Sequence, residues 1–332
     1  MMWRALSRLV SGRSGPGGDL SVLFFHRVLP QHDPMLGDEP VADAFVRVLQ
    51  WLNSQYTLLP LDEAVQRMQN GSLPRAAAAV TFDDGYHDNF AVAAPLLHSV
   101  GVPATFFIST GFLDGGIMWN DRVTEAVRLS PADRIDTGSL GLGPLALGGL
   151  AARGQVAGQI LLALKYLGPD ERDAAVNQVV AACGCALPTD LMMSSEQVRS
   201  LSQQGFGIGA HTVTHPILAS LGDAQARQEI MQSRATLEAL LGRKVGLFAF
   251  PNGRMGKDFD ARHAAMAREA GYEAAFTTEP GVCTRLSDPW SLPRFTPWDR
   301  TELRFRLRLL SNQRTRPAGI RPPSAEATAT GR

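Results

Sequence analysis

Two clusters in this 332-residue chain carry residue types that together suit holding a cation and activating water. The first, Thr81-Phe82-Asp83-Asp84-Gly85, ends an apolar run. Adjacent carboxylates repel one another unless a cation sits between them or their roles differ, so the pair costs energy and invites a function. The plainer alternative is an Asp-Gly turn with two solvated acids. The second cluster is His211-Thr212-Val213-Thr214-His215-Pro216. Two imidazoles four residues apart where a strand gives way to a loop can face one cation, and imidazole with carboxylate is the donor set of zinc and related divalent metals. Alone, two histidines at this spacing are more often surface or core residues; the two clusters together are more specific than either. A third segment, Phe250-Pro251-Asn252-Gly253, is a turn whose backbone N–H groups could stabilise an oxyanion, or a plain turn. In Phe25-His26-Arg27 a lone histidine, more often structural, again ends a strand.

The elements that must position these residues are legible as short apolar runs bounded by Gly, Pro or Asp: 21–25, 78–82, 104–108, 206–210, 245–250 and 274–277. Helical periods lie between them. Val41, Phe45, Val48, Leu49 and Leu52 form one apolar stripe, and Asp223 is placed to cap a long helix. Strand and helix alternating at this spacing predict a mainly parallel sheet with helices outside it, as an α/β barrel or an open doubly wound sheet. In a barrel, both clusters and the turn would reach the C-terminal face, where loops build active sites. The rhythm fails between about residues 115 and 190, read as an insertion on one loop, with 155–182 helical in character. The expected organisation is an N-terminal tail over 1–18, one barrel over 19–312 and a disordered tail over 313–332.

Apolar residues make up 45% and charged residues 19% of the chain, which fits a globular protein with a sizeable core. The 32 basic and 32 acidic side chains cancel, so the footprint of a nucleic-acid binder is absent. Three cysteines, Cys183, Cys185 and Cys283, have neither the number nor the spacing of a zinc ribbon and read as reduced and structural. No secretory signal and no membrane-spanning run stand out, so the expected location is cytoplasmic, with a short basic N-terminal helix allowing peripheral association with a membrane.

TFDDG, HTVTH and FPNG, in this order after successive strands, resemble the motifs of polysaccharide deacetylases of the NodB-homology type, carbohydrate esterase family four, over roughly residues 19 to 300. The resemblance implies a distorted (β/α)7 barrel and metal-dependent removal of acetyl groups from an N-acetylated glycan. By position it implies Asp83 as general base and Asp84, His211 and His215 as ligands of a divalent metal, Zn2+ first, with Co2+, Ni2+ or Mn2+ as alternatives. A backbone N–H near Pro251 and Asn252 would help to hold the oxyanion.

The sequence departs from the commonest pattern twice. No histidine suited to protonating the departing amine follows His263; His26 resembles the early histidine of the subgroup acting on poly-N-acetylglucosamine exopolysaccharides, and His87 is the alternative. The third motif lacks the arginine that often pairs with the base, and Arg294 in Ser291-Leu292-Pro293-Arg294-Phe295 is the candidate substitute. Trp119, at the start of the insertion, could stack on a sugar or simply pack. Two other functions stay open: hydrolysis of a non-sugar amide by the same chemistry, and a catalytically impaired glycan-binding barrel of an exopolysaccharide synthesis system.

Overall fold

A computed structural model describes residues 2–11, 17–296 and 299–315. Nine strands occur among these: β1 (Leu20–Phe25), β2 (Thr57–Leu58), β3 (Ala77–Phe82), β4 (Ala104–Ile108), β5 (Arg134–Asp136), β6 (Pro144–Ala146), β7 (Gly207–Ala210), β8 (Leu247–Ala249) and β9 (Ala274–Phe276). The helices are α1 (Met2–Val10), α2 (Ala42–Gln55), α3 (Leu61–Gln69), α4 (Ala94–Ser99), α5 (Trp119–Leu129), α6 (Leu150–Leu164), α7 (Pro169–Cys183), α8 (Ser195–Gln203), α9 (Asp223–Leu241), α10 (Ala261–Glu269) and α11 (Glu302–Asn312).

The main sheet is parallel and runs β1-β3-β4-β7-β8-β9, with β2 paired to Ala77 and Ala78 of β3. Its two ends are joined. Leu292 bridges Phe276 of β9 and Phe295 bridges Leu23 of β1, so residues 292–295 span the seam. The expected distorted α/β barrel is therefore the observed fold, closed by an extended segment too short to form a regular strand.

Period-two alternation sends neighbouring strand residues to opposite faces. Phe82, Val80 and Ala78 join Phe25, Phe45, Leu49 and Phe106 in the larger core, where the Phe82 and Phe106 rings stack at 5.0 Å. Ala77 and Ala79 face the other way, with Leu20, Val22, Phe107, Phe276 and Leu292. Gly209 makes this second packing possible, because a Cβ there would lie 2.4 Å from the Phe107 ring.

Two sequence expectations are corrected, and the reading of the 115–190 stretch is refined. The 1–18 segment is not simply a tail: α1 packs against α2, with Gln55 donating to Ser7 Oγ at 2.8 Å. Asp223 is the first residue of α9 rather than its cap, which is Gly222. The irregular stretch forms α5, a β5–β6 hairpin, α6 and α7 around their own core, including Val127, Ile160, Leu164 and Val176. The helical reading over 155–182 is interrupted between Leu164 and Pro169. Residues 316–332 of the expected C-terminal tail lie outside the described residues.

Candidate active site

Parallel strands deliver the chemistry-bearing side chains to one end of the barrel. His26 follows β1, Asp83 and Asp84 follow β3, His211 and His215 follow β7, and Asn252 follows β8; all six line one cleft of about 770 Å³. That volume suits a saccharide-sized ligand.

Asp84, His211 and His215 converge on one point. Asp84 Oδ1 is 3.5 Å from His211 Nε2 and 3.4 Å from His215 Nε2. The same oxygen is buried without a hydrogen-bond partner among the described residues, an expensive state for a carboxylate. Two ligands each about 2.0–2.1 Å from a tetrahedral ion stand about 3.3 Å apart, so the spacing fits a shared divalent cation. His211 is oriented for it: Nδ1–H donates to the Ala249 carbonyl at 2.7 Å, which turns the Nε2 lone pair into the site. Desolvation pushes His215 down to about 4, keeping the neutral imidazole that a metal requires. Burial opposes the Asp84 carboxylate, but His215, His211 and His26 hold its pKa well below the usual range.

Asp83 is separated from this cluster by its partner. Arg294 donates from Nη1 to Oδ1 at 2.7 Å and from Nη2 to Oδ2 at 2.8 Å, a bidentate pair between two buried side chains. Its other donors reach Thr81 Oγ1 at 3.2 Å and the Thr277 carbonyl at 3.1 Å. Its guanidinium lies between the Phe24 and Phe107 rings, at 5.0 and 5.3 Å from their centroids. Burial raises the Asp83 carboxyl, yet Arg294, with His211 and His26, more than offsets this and keeps it below its ordinary value. Arg294 occupies the barrel seam, far in sequence from the aspartate it serves.

The turns carrying these residues are strained. Asp84, Thr212, His215 and Asn252 have φ of 77°, 65°, 53° and 58°, the left-handed region that non-glycine residues visit rarely. Neighbouring groups hold them there. Ser109 N–H donates to the Asp84 carbonyl at 3.2 Å, and Met193 N–H to that of Gly85 at 2.9 Å. Glu229 of α9 accepts from the N–H groups of Val213 and Thr214 at 2.7 and 2.8 Å and from the Thr214 hydroxyl at 2.7 Å. Gly111 allows the preceding loop to close in, since a Cβ there would meet the Val213 carbonyl at 2.8 Å.

The rim contains the remaining candidates. His26 is half-buried in the cleft, whereas His87 bonds Gln197 and does not line it. Pro251 is buried and shapes the turn by accepting from Gly253 N–H at 2.6 Å; Asn252 lines the cleft, and its own N–H has no acceptor among the described residues. Trp119 lines the cleft with the Arg172 guanidinium 4.9 Å from its ring centre. Sequence reasoning assigned no role to Glu229 or to a buried pair beside Asp84, in which Tyr86 donates to Asp121 Oδ2 at 3.0 Å. Burial pushes the Asp121 carboxyl up to about 7, with Arg27 and the Tyr86 hydroxyl opposing.

Comparison with known proteins agrees with this geometry. Residues 70–133 and 173–275, together half of the chain, match the polysaccharide deacetylase family; the unmatched gap holds the β5–β6 hairpin and α6. The putative polysaccharide deacetylase YxkH of Bacillus subtilis (strain 168) is 21% identical over 248 residues, covering 74% of this chain but only 61% of the relative's length. Two solved structures share the fold. The Streptococcus pyogenes deacetylase PplD in complex with acetate gives a TM-score of 0.56 at 18% identity, covering 84% of this chain and 92% of that one. IcaB from Ammonifex degensii gives 0.55 at 19% identity, covering 87% and 98%. No helix among the described residues is long and apolar enough to cross a membrane. The family match and the motifs gathered in one cleft lead to the same conclusion: this chain is a member of the polysaccharide deacetylase family.

Proposed function

We propose that the protein is a metal-dependent hydrolase that removes N-acetyl groups from a polysaccharide or its saccharide precursor. The observation that carries this reading is the unpartnered Asp84 Oδ1 facing two histidine Nε2 atoms beside an Arg294-clamped Asp83. Asp84, His211 and His215 would hold the ion; their mixed nitrogen and oxygen donors favour Zn2+ and admit Co2+, Ni2+ or Mn2+. When bound, such an ion supplies Lewis-acid polarisation of an acetamide carbonyl and lowers the pKa of water.

The chain's own residues do the rest. Asp83 accepts the proton of the attacking water, and Arg294 keeps its carboxylate ionised and fixed in angle while leaving a lone pair on each oxygen. In this scheme the N–H of Asn252, which lines the cleft, donates to the developing oxyanion. Nitrogen leaves as an amine only if it is protonated, and His26, on the rim of the same cleft, is the donor in this scheme. Trp119 lines the cleft and offers its ring for a pyranose to stack on, with the Arg172 guanidinium 4.9 Å from the ring centre.

Mass spectrometry of products from N- and O-acetylated oligosaccharides and a panel of small amides tests the reading. It expects loss of acetyl groups from the N-acetylated sugars with release of acetate. Turnover confined to O-acetyl esters or small amides would contradict it.

A further inference from the structure

The cleft has a cationic stretch of wall that the proposed chemistry does not use. Lys165 at the end of α6, Arg172 in α7, and Arg254 and Lys257 after β8 all line it. None forms an ion pair among the described residues, although another cation of the cleft, Arg27, pairs with Asp88. Two carboxylates lie close by, neither in an ion pair with these four. Asp173 pairs with Arg122 at 2.7 Å, and buried Asp258 accepts from the Arg254 backbone N–H at 3.1 Å. Tyr166 gathers two of the cations: Lys257 Nζ donates to its hydroxyl at 3.2 Å and stands 5.4 Å from its ring, with Lys165 Nζ 5.9 Å from the same ring. Desolvation lowers the Arg172 pKa, and only Asp173 opposes it.

Four cations gathered on one stretch of cleft wall, none of them in an ion pair, repel one another, and in a chain of zero net charge they mark a place prepared for an anion. Lys165 and Arg172 come from the stretch that the family match leaves out, so they belong to this chain's elaboration of the barrel.

We propose that Lys165, Arg172, Arg254 and Lys257 form a subsite for an anionic group, phosphate or carboxylate, carried by the acetylated saccharide next to the sugar at Asp83. This rests on the deacetylase reading above. A guanidinium fork over an aromatic ring and mobile ammonium groups recognise either anion, the fork giving orientation and the lysines a movable charge.

The test compares three matched N-acetylglucosamine tetrasaccharides: neutral, phosphorylated at the reducing end, and oxidised there to a carboxylate. Acetate release should show a kcat/KM about tenfold higher for at least one anionic form at low ionic strength, converging on the neutral value as salt rises. Which form wins separates phosphate from carboxylate. In Lys165→Ala/Arg254→Ala/Lys257→Ala, and in Lys257→Glu, the ratio of anionic to neutral should fall to about one. These three side chains are exposed, so the variants should fold. Equal values for all three saccharides, or a ratio untouched by the substitutions, would overturn the proposal. If none releases acetate, the deacetylase reading fails, and calorimetric binding still decides the subsite: preferential binding of an anionic form, lost in the triple variant, upholds it, and equal binding or none removes it.

Discussion

Asp83 and Asp84 are neighbours in the chain with different partners, and in the proposed reaction that difference separates their roles. One is clamped by a guanidinium and the other faces two imidazoles. Replacing Arg294 by methionine would leave a buried carboxylate without its partner, at a cost of about 3–5 kcal/mol in unfolding free energy. Arg294→Lys keeps the charge but loses the fork. The base should then have a raised pKa, and because it must be ionised to work, the acid limb of the pH–rate profile should move to higher pH. An unchanged limb would separate Arg294 from the base. Asp121 makes a second prediction. Its folded-state pKa of about 7 lies above its ordinary 3.8, so the folded protein binds this proton more tightly than the unfolded chain. That contribution is fully present below the ordinary value and lost as pH rises through about 7. Asp121→Asn should be more stable than the parent by about 1–3 kcal/mol near pH 8, the gain fading toward pH 4, in urea unfolding across that range. Asp83 and His211 stood out in the sequence by residue type and spacing, and they do line one cleft. Arg294 was legible only as a candidate, since nothing local shows that a residue at the seam reaches Asp83. Glu229 carried no signal, because its task depends on where α9 packs.

At the scale of elements, the strands were readable from short apolar runs, and their C-terminal ends located the site. β2, two residues long, and α5 were not, and 155–182 read as helical without its break after Leu164, because the core of this stretch forms only when α5, α6 and α7 meet. The proposed ligands sit on turns in left-handed conformations that neighbouring groups brace. Glu229→Ala removes three acceptor contacts from the His211–His215 turn. Metal affinity should fall by about 10- to 100-fold, as is typical when a partner of a ligand-bearing segment is lost. Competition with a chromophoric chelator measures this; an unchanged affinity would mean that the turn is held without α9.

At the scale of the molecule, one site joins parts of the chain that are far apart. Asp83 and Asp84 precede the α5–α7 elaboration, His211 and His215 follow it, and Arg294 lies where the barrel closes. An ion shared by the turns after β3 and β7 would therefore tie the two halves together. Saturating Zn2+ should add about 3–4 kcal/mol of stability at 100 to 1,000 times its Kd. Thermal unfolding with Zn2+ and with chelator reads this directly, and Asp84→Ala should not respond. Bound metal and acetate release, measured in one preparation of Asp83→Asn, test the proposed division of labour between the adjacent aspartates. The expected result is a full complement of metal with turnover reduced by about 10²- to 10⁴-fold. Loss of the metal, or turnover equal to that of the parent protein, would contradict the account.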